Sequence, residues 1–448
     1  MTRFGRAFLT ALALGGSASA NGRFPATNQI LVHPGNPEQI VLRTTFGLLR
    51  SRDSGAHWDW ECEQALGYSG TVDPPLAWHR NGLLVAGLFD GLSVAQEDSC
   101  SWRRDPSLGS QVVVDVSLHD PQGMRLDALT GSYDHASPAG RPAYVSDLWT
   151  SSTDGRVWSR SSTPLPPDVI VESFDRASSD AQRVYVTGES ETGGARAGVL
   201  LRSRDGGASW QRLPFAFDGT GERALLLAAI DPARSDRLYV RTGGSENGRV
   251  LVSDDAGDTF RVVWTGAAPQ GFALAADSST VWVGSSRGGL ERASTADHAF
   301  TTVNRTPIGC LHLANEWLYA CSLDAYGFAA ARSRDRGATF EPLLRLAEIR
   351  GPRPCADEGG ANPCLGQWAV VKATVGIPDT VDAGPTPRFD GGTAEAVQTG
   401  SCGCRLGQSP STAGGPAGAI APAGSLAFLG AILGLARARL RRRSCVSP

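Results

Sequence analysis

An eight-residue pattern, S-x-D-x-G-x-x-[WF], occurs four times along this chain of 448 residues. The serine, aspartate, glycine and aromatic positions of the four copies are Ser51, Asp53, Gly55 and Trp58; Ser203, Asp205, Gly207 and Trp210; Ser253, Asp255, Gly257 and Phe260; and Ser333, Asp335, Gly337 and Phe340. A fifth, altered copy has its acid one place nearer the glycine, at Asp154, Gly155 and Trp158. Repeats at this spacing constrain the fold more than length does, because 448 residues could also form two or three unrelated domains.

Seven aromatic residues mark seven units, because two further segments keep the aromatic residue and lose the rest of the pattern. These positions, spaced by 40 to 56 residues, are Trp58, Trp102, Trp158, Trp210, Phe260, Phe300 and Phe340. Upstream of each lies a short apolar or alternating run typical of a second β-strand: residues 39–43, 83–86, 125–129, 183–187, 237–241, 280–284 and 317–321. The pattern predicts an all-β fold, a seven-bladed β-propeller of four-stranded antiparallel blades over residues 21–350.

The residue types of the repeat suit a turn between the third and fourth strands of a blade. Serine and aspartate side chains can hydrogen-bond the backbone of a tight turn, and glycine permits a positive φ there. The aromatic residue then begins the outer strand and packs between neighbouring blades. We therefore interpret these positions as structural, since catalytic aspartates in a repeated turn would require repeated active sites.

The four copies resemble the Asp-box (BNR) repeat. Proteins with this repeat include sialidases, sortilin-type receptors, plant-cell-wall glycosidases and photosystem assembly factors. The resemblance implies a propeller in the sialidase and sortilin superfamily, and it does not choose among these functions.

Both ends of the chain predict export. Residues 1–20 contain Arg3 and Arg6, an apolar stretch and the small-residue sequence Ala18-Ser19-Ala20, which is the pattern of a cleaved signal peptide. Residues 418–436 form an uncharged apolar segment, just long enough for a transmembrane helix. Five arginines follow it, so the positive-inside rule places the body of the protein outside the cytoplasm.

The region before this span resembles a MYXO-CTERM protein-sorting tail. Cys402-Gly403-Cys404 precedes the apolar segment and the arginine cluster, so residues 402–448 contain all three parts in order. The resemblance implies cleavage near Cys402 or Cys404 by a sorting protease and retention at the outer cell surface. An ordinary membrane anchor is the alternative, with the same topology. Residues 377–401, rich in Pro, Gly, Asp and Thr, are expected to be a flexible linker.

Charge argues against a nucleic-acid partner. The net charge is −3, and the removable ends contribute eight arginines and no acidic residue, which leaves −11 on the body. An acidic body without a basic cluster does not suit phosphate binding.

Six cysteines outside the tail predict disulfides, as is usual for an exported protein. Cys310 and Cys321 would lie opposite each other across a two-residue turn, Cys355 and Cys364 would close a small loop, and Cys62 and Cys100 would pair by elimination. Residues 351–376 either supply a closing strand through 369–375 or form a small appendage. No spacing indicates a metal site or a cofactor.

A ligand is expected on the face opposite the S-x-D-x-G turns. We name this the loop face; it is formed by the connections between second and third strands and the connections between blades. Enlarged connections over 132–143, 189–197 and 322–328 would bring the candidate residues there: Tyr133, Asp134, His135, Glu189, Glu191, Arg196, Asp324 and Tyr326.

These observations favour a non-catalytic propeller that binds a glycan, peptide or protein. No arginine triad or catalytic set of a sialidase can be assigned from spacing. A glycoside hydrolase of sialidase-like or cell-wall-degrading type is the alternative, with two loop acids as general acid and base. An envelope assembly factor is a second alternative.

Overall fold

The computed structural model describes residues 23–69, 72–96, 101–118, 120, 122–134, 143–160, 163–192, 195–218, 221–244, 247–355 and 362–378. These residues belong to a compact unit that ends at Ile377, apart from Pro378, where a second unit begins. The signal peptide, Cys100, His135, Cys402, Cys404 and the predicted membrane span at 418–436 lie outside the described residues, as does most of the predicted linker. Within the described ranges, no helix is long and apolar enough to cross a membrane.

Twenty-eight strands form seven four-stranded antiparallel sheets in the described residues, and each sheet takes four strands consecutive in the chain. The first four blades are β1 (Thr27–Val32), β2 (Ile40–Thr44), β3 (Gly47–Ser51) and β4 (Asp59–Glu61); β5 (Leu76–Trp78), β6 (Leu83–Leu88), β7 (Gly91–Gln96) and β8 (Arg103–Asp105); β9 (Val113–Leu118), β10 (Leu126–Tyr133), β11 (Tyr144–Thr153) and β12 (Val157–Arg160); and β13 (Val169–Arg176), β14 (Val184–Thr192), β15 (Ala195–Ser203) and β16 (Gln211–Phe215).

The remaining blades are β17 (Ala224–Asp231), β18 (Arg234–Gly243), β19 (Gly248–Ser253) and β20 (Arg261–Gly266); β21 (Pro269–Leu274), β22 (Thr280–Ser285), β23 (Gly289–Ser294) and β24 (Thr301–Asn304); and β25 (Cys310–Ala314), β26 (Trp317–Cys321), β27 (Ala330–Ser333) and β28 (Glu341–Leu344). Two α-helices, α1 (Glu63–Leu66) and α2 (Leu365–Thr374), lie outside the sheets.

The first strand of each blade contacts the first strand of the next, and β25 contacts β1, so the seven first strands close a ring. This arrangement confirms the predicted all-β, seven-bladed propeller. The second strands lie within a few residues of their predicted positions. Apolar clusters fill the spaces between blades, as where Leu92 and Val94 of blade 2 pack with Leu126 and Ala128 of blade 3.

The chain after blade 7 closes the ring by running along the outer edge of blade 1. Arg350 N donates to Trp58 O (3.0 Å), Trp60 N donates to Gly351 O (2.8 Å), and Arg353 N donates to Trp60 O (2.8 Å). The pairing with β4 is parallel. Helix α2 follows and packs Trp368 against Trp60 with ring centroids 5.6 Å apart. Of the two alternatives for residues 351–376, the closing strand through 369–375 is therefore wrong, because these residues are helical or follow the helix.

Disulfides differ from two of the three predicted pairs. Cys62 bonds to Cys364, so the pairs Cys62–Cys100 and Cys355–Cys364 are wrong. Cys355 is also disulfide-bonded. Cys355 and Cys364 were paired because they are close in sequence, and Cys62 and Cys100 because they remained. Closure of the ring instead brings Cys62 of blade 1 next to the segment before α2. Cys310 and Cys321 bond as predicted, at directly opposed positions of β25 and β26.

Candidate functional site

The S-x-D-x-G turns are hydrogen-bonded as their composition predicts. In the first turn, Ser51 Oγ donates to Asp53 Oδ1 (2.9 Å), Gly55 N donates to Ser51 Oγ (2.9 Å) and His57 N donates to Asp53 Oδ1 (2.9 Å). The other three regular copies have equivalent bonds from serine to aspartate, for example Ser333 Oγ to Asp335 Oδ1 (2.7 Å). Each aspartate is thus used inside its own turn.

Two consecutive residues of each turn have a positive φ. In the first copy these are Ser54 (60°) and Gly55 (93°), and in the altered copy Asp154 (59°) and Gly155 (71°). The displaced acid of the altered copy therefore occupies the left-handed position before the glycine, which aspartate tolerates better than most residues. A Cβ at Gly257 would lie 2.2 Å from Leu200 Cδ2 of the preceding blade, so the turn also packs between blades.

Hydrogen bonding lowers the pKa of the turn carboxylates. The hydroxyl and the backbone N–H of Thr339 stabilise the charged form of Asp335, which lowers the pKa of Asp335 to about 2. Ser209 and Thr259 lower the pKa of Asp205 and Asp255 in the same way. A carboxylate with a low pKa is a poor general acid or base at neutral pH, which favours the structural role expected of the turn residues.

Carboxylates of the first strands lie near the axis of the ring and connect adjacent blades. Asp115 Oδ2 accepts from Phe174 N (3.2 Å) of the next blade, and Glu172 Oε2 accepts from Leu225 N (3.0 Å). Glu172 occupies a β-bulge between β13 and β14, where the register shifts by one residue. The sequence reading missed these residues, since nothing in the strand pattern marks the bulge.

Burial raises the pKa of these inner carboxyls. The pKa of Asp115 rises to about 7 and that of Asp175 to about 6, while Glu172, which also lies near the charge of Glu189, has a pKa well above its ordinary value. Burial also lowers the pKa of Arg241 to about 10, partly offset by Glu172. A polar cluster therefore occupies the axial side of blades 3 to 5.

The candidate residues of blade 4 do not lie in an open loop. Strands β14 and β15 pair as far as Thr192 and Ala195, so the predicted loop at 189–197 is a β-hairpin. Glu189 is a buried strand residue, and Arg196 Nη1 lies 3.2 Å from Glu189 Oε2. Burial raises the pKa of Glu189, against the lowering effect of Arg196. Glu191 pairs with Arg196 in backbone register.

Blades 3 and 7 place their candidates at the predicted connections. Tyr133 ends β10 and contacts Tyr144 edge to face, with ring centroids 5.7 Å apart; Asp134 N donates to Ala143 O (2.8 Å). In blade 7, Asp324–Tyr326 form a 3-10 turn. Asp324 Oδ1 accepts from Leu346 N (3.0 Å) and from Arg345 Nε (3.3 Å), while Tyr326 is exposed.

Other features of the described residues give no alternative site. A pocket on the side of the S-x-D-x-G turns is lined by Arg125, Thr150, Arg176, Gln182 and Asp205, among others. Of its two arginines, Arg176 is buried and bonded to Asp127 (2.7 Å), and Arg125 is exposed at the rim. Within these residues, no three or more His, Cys, Asp or Glu side chains come together in a way that could hold a metal ion.

Comparison with known proteins adds little on function. No family model and no curated protein matches the sequence. Similar solved structures include the GH74 enzyme from Niastella koreensis (13% identity, 70% of this chain and 62% of that chain, TM-score 0.35), an ancestral GH74 enzyme (12% identity, 74% and 55%, TM-score 0.47) and Sqt1 from Chaetomium thermophilum (14% identity, 72% and 84%, TM-score 0.45). This chain covers less than two thirds of either GH74 structure. Similarity at this level does not bear on function.

The disulfides do bear on where the protein folds. Cys62–Cys364 and Cys310–Cys321 are both buried in the propeller. Structural disulfides are typical of proteins that fold in an oxidising compartment, which indicates an exported protein.

Proposed function

We propose that this protein is a non-catalytic ligand-binding propeller, displayed at the cell surface, that binds a glycan, peptide or protein on its loop face. Anchoring through a sorting protease acting at the C-terminal tail, with a membrane segment at 418–436, is part of the proposal. The observation that carries it is the division of roles between carboxylates. Those of the turns and first strands are bonded within turns or between blades, whereas exposed side chains such as Tyr133 and Tyr326 lie on the loop face.

Binding and its location can be tested together. The purified protein is screened against glycan and peptide arrays, and the dissociation constant of each positive ligand is measured for variants of both faces. Tyr133→Ala on the loop face is expected to weaken binding. Met124→Ala is a matched control, because Met124 is 42% exposed, close to the 46% of Tyr133, and lies in the connection between β9 and β10 on the opposite face. Loss of binding only in the control would refute the proposal.

A glycoside hydrolase is the second candidate, and one observation favours it. Burial raises the pKa of both Glu172 and Glu189, and the charge of Glu189 adds to the effect at Glu172; a raised pKa is what the acid of a glycosidase requires. Glu172, however, already accepts the backbone bond that joins blades 4 and 5. That contact favours a structural role.

A panel of glycosides separates binding from hydrolysis. We expect no turnover by the wild-type protein. Turnover that Glu172→Gln or Glu189→Gln abolishes would establish the hydrolase, because glutamine keeps a hydrogen-bond acceptor and removes the ionisable group. An envelope assembly factor, the third candidate, would instead retain one fixed membrane partner in a pull-down.

A further inference from the structure

The large apolar side chains that are exposed in the described residues include four aromatic ones, and all four lie on the loop face. Their exposed fractions are 70% for Phe24, 42% for Phe89, 46% for Tyr133 and 51% for Tyr326. The other exposed apolar residues are scattered: Met124 lies on the opposite face, Val145 at the loop-face end of β11, Val157 in β12, Val262 in β20, and Leu365 and Val370 on α2. The exposed aromatic residues, by contrast, all lie on one face.

The four aromatic residues occupy consecutive positions around the ring. Each lies at or beside the connection between the second and third strands of its blade. Tyr326 belongs to blade 7, Phe24 lies beside this connection in blade 1, Phe89 is in it in blade 2, and Tyr133 ends β10 in blade 3. We name this set the aromatic arc. The corresponding connections of blades 4 to 6, over residues 189–197, 243–248 and 285–289, contain no aromatic residue.

The backbone at each position of the arc is held by hydrogen bonds. Phe89 and Asp90 form a two-residue turn closed by the pair Leu88 and Gly91. Phe24 O accepts from Thr45 Oγ1 (2.8 Å) of the adjacent turn. Tyr326 N donates to Leu323 O (2.9 Å). Because their backbone is already ordered, these aromatic residues lose little conformational entropy when a ligand binds.

A carboxylate lies close in sequence or contact to each member of the arc. Asp90 follows Phe89, Asp134 follows Tyr133 and Asp324 precedes Tyr326 by two residues. The neighbour of Phe24, Arg23, makes two bonds of 2.7 Å to Asp73. Three of these carboxylates accept from arginine side chains, Asp90 from Arg104 (2.7 Å), Asp73 from Arg23 and Asp324 from Arg345. Polar groups that can bond sugar hydroxyls therefore lie beside the arc.

We infer that the aromatic arc binds a linear, neutral polysaccharide, with successive sugars spread over blades 7, 1, 2 and 3. The inference rests on the proposed function and names the ligand of the loop face. The apolar face of a sugar ring stacks on an aromatic side chain, and its hydroxyls donate to carboxylates. A protein partner would more often bury one continuous apolar patch, whereas these rings are separated by a blade each. The net negative charge of the protein disfavours an anionic polymer.

The test is a length series of neutral oligosaccharides. Cello-, manno- and xylo-oligosaccharides of two to eight sugars are titrated into the full-length protein by calorimetry, with alginate as the anionic comparison. We expect affinity for one neutral series to rise with length and alginate to bind weakly. Phe89→Ala and Tyr326→Ala are each expected to weaken binding of the longest oligosaccharide by about tenfold, as loss of a binding hot spot does. Phe89→Tyr is expected to restore it.

Controls separate failure of the inference from failure of the proposed function. Met124→Ala, on the opposite face and with the same 42% exposure as Phe89, is expected to bind like wild type. If Arg196→Ala abolishes binding while the arc variants bind normally, the ligand lies elsewhere on the loop face and the arc is refuted alone. If only Met124→Ala weakens binding, both fail. Preference for alginate or for a peptide refutes the inference.

Discussion

Two disulfides in one propeller allow the contribution of ring closure to stability to be measured. Cys62–Cys364 joins residues 302 positions apart, whereas Cys310–Cys321 joins residues 11 positions apart within one hairpin. Both pairs are buried. Replacing either pair by alanine therefore removes similar packing, and the two variants differ chiefly in the length of the loop that is opened.

The contribution of each disulfide to the free energy of unfolding follows from the entropy of the unfolded chain. Closing a loop of n residues removes about 2.1 + 1.5R ln n cal/mol/K from the unfolded state. For loops set by the two separations, this corresponds to about 6 kcal/mol for Cys62–Cys364 and about 3 kcal/mol for Cys310–Cys321 at 25 °C. We expect the Cys62→Ala/Cys364→Ala variant to be less stable than the Cys310→Ala/Cys321→Ala variant by about 3 kcal/mol.

The assay is unfolding in guanidinium chloride, followed by tryptophan fluorescence and by far-ultraviolet circular dichroism. Both variants are made in a background lacking Cys355, because its disulfide could otherwise hold the same segment in place. Coincident transitions by the two probes are required before free energies are compared. Equal losses in the two variants, or a larger loss for Cys310–Cys321, would refute the argument that long-range closure dominates.

Three further outcomes follow from the described contacts. Gly257→Ala is expected to lower the free energy of unfolding by about 1–3 kcal/mol more than Gly327→Ala, because both glycines have positive φ and only Gly257 would place a Cβ against a neighbour; denaturant titration measures both. Glu61→Gln is expected to cost about 3–5 kcal/mol in the same assay, since it removes the carboxylate between two buried arginines. Because burial raises the pKa of Asp115 to about 7, its stabilising contribution is complete below the ordinary pKa near 4 and is lost as pH rises through 7. The Asp115→Asn variant is thus expected to lose less stability than wild type between pH 4 and 8, and an unchanged pH profile would contradict this.

The sequence predicted the propeller because its signals are local. A turn such as Ser51 to Trp58 contains its own hydrogen-bond donors, acceptors and positive-φ glycine, so eight residues suffice to specify it. Strands of alternating or apolar residues carry the same kind of information. Cys310 and Cys321 were paired correctly for this reason, since one short hairpin brings them together.

Features that depend on the closed ring could not be predicted in this way. The partner of Cys62 is Cys364, and the distance between them is set only when the last segment reaches blade 1. Glu189 was expected on an enlarged connection of the loop face, but its hairpin extends the ladder of blade 4 and buries the side chain. Phe24 and Phe89 carried no repeat signal; their relevance comes from exposure and from their positions around the ring.

Ring closure and the proposed ligand binding involve the same part of the molecule. The aromatic arc runs from blade 7 to blade 3, so the junction between blades 7 and 1 lies between Tyr326 and Phe24. At this junction Trp58 Nε1 donates to Leu343 O (2.8 Å), and Thr27 Oγ1 donates to Ala329 O (2.6 Å). Cys62–Cys364 and the Arg353–Glu61 bond (2.6 Å) hold the last segment against the outer strand of blade 1. A ligand that contacts blades 7 and 1 together would bind only the closed ring and would stabilise it by mass action. Cross-links that close the ring beforehand remove the free-energy cost of closure from ligand binding. The cross-links of blade 1 thus support the spacing on which binding of a long polysaccharide would depend.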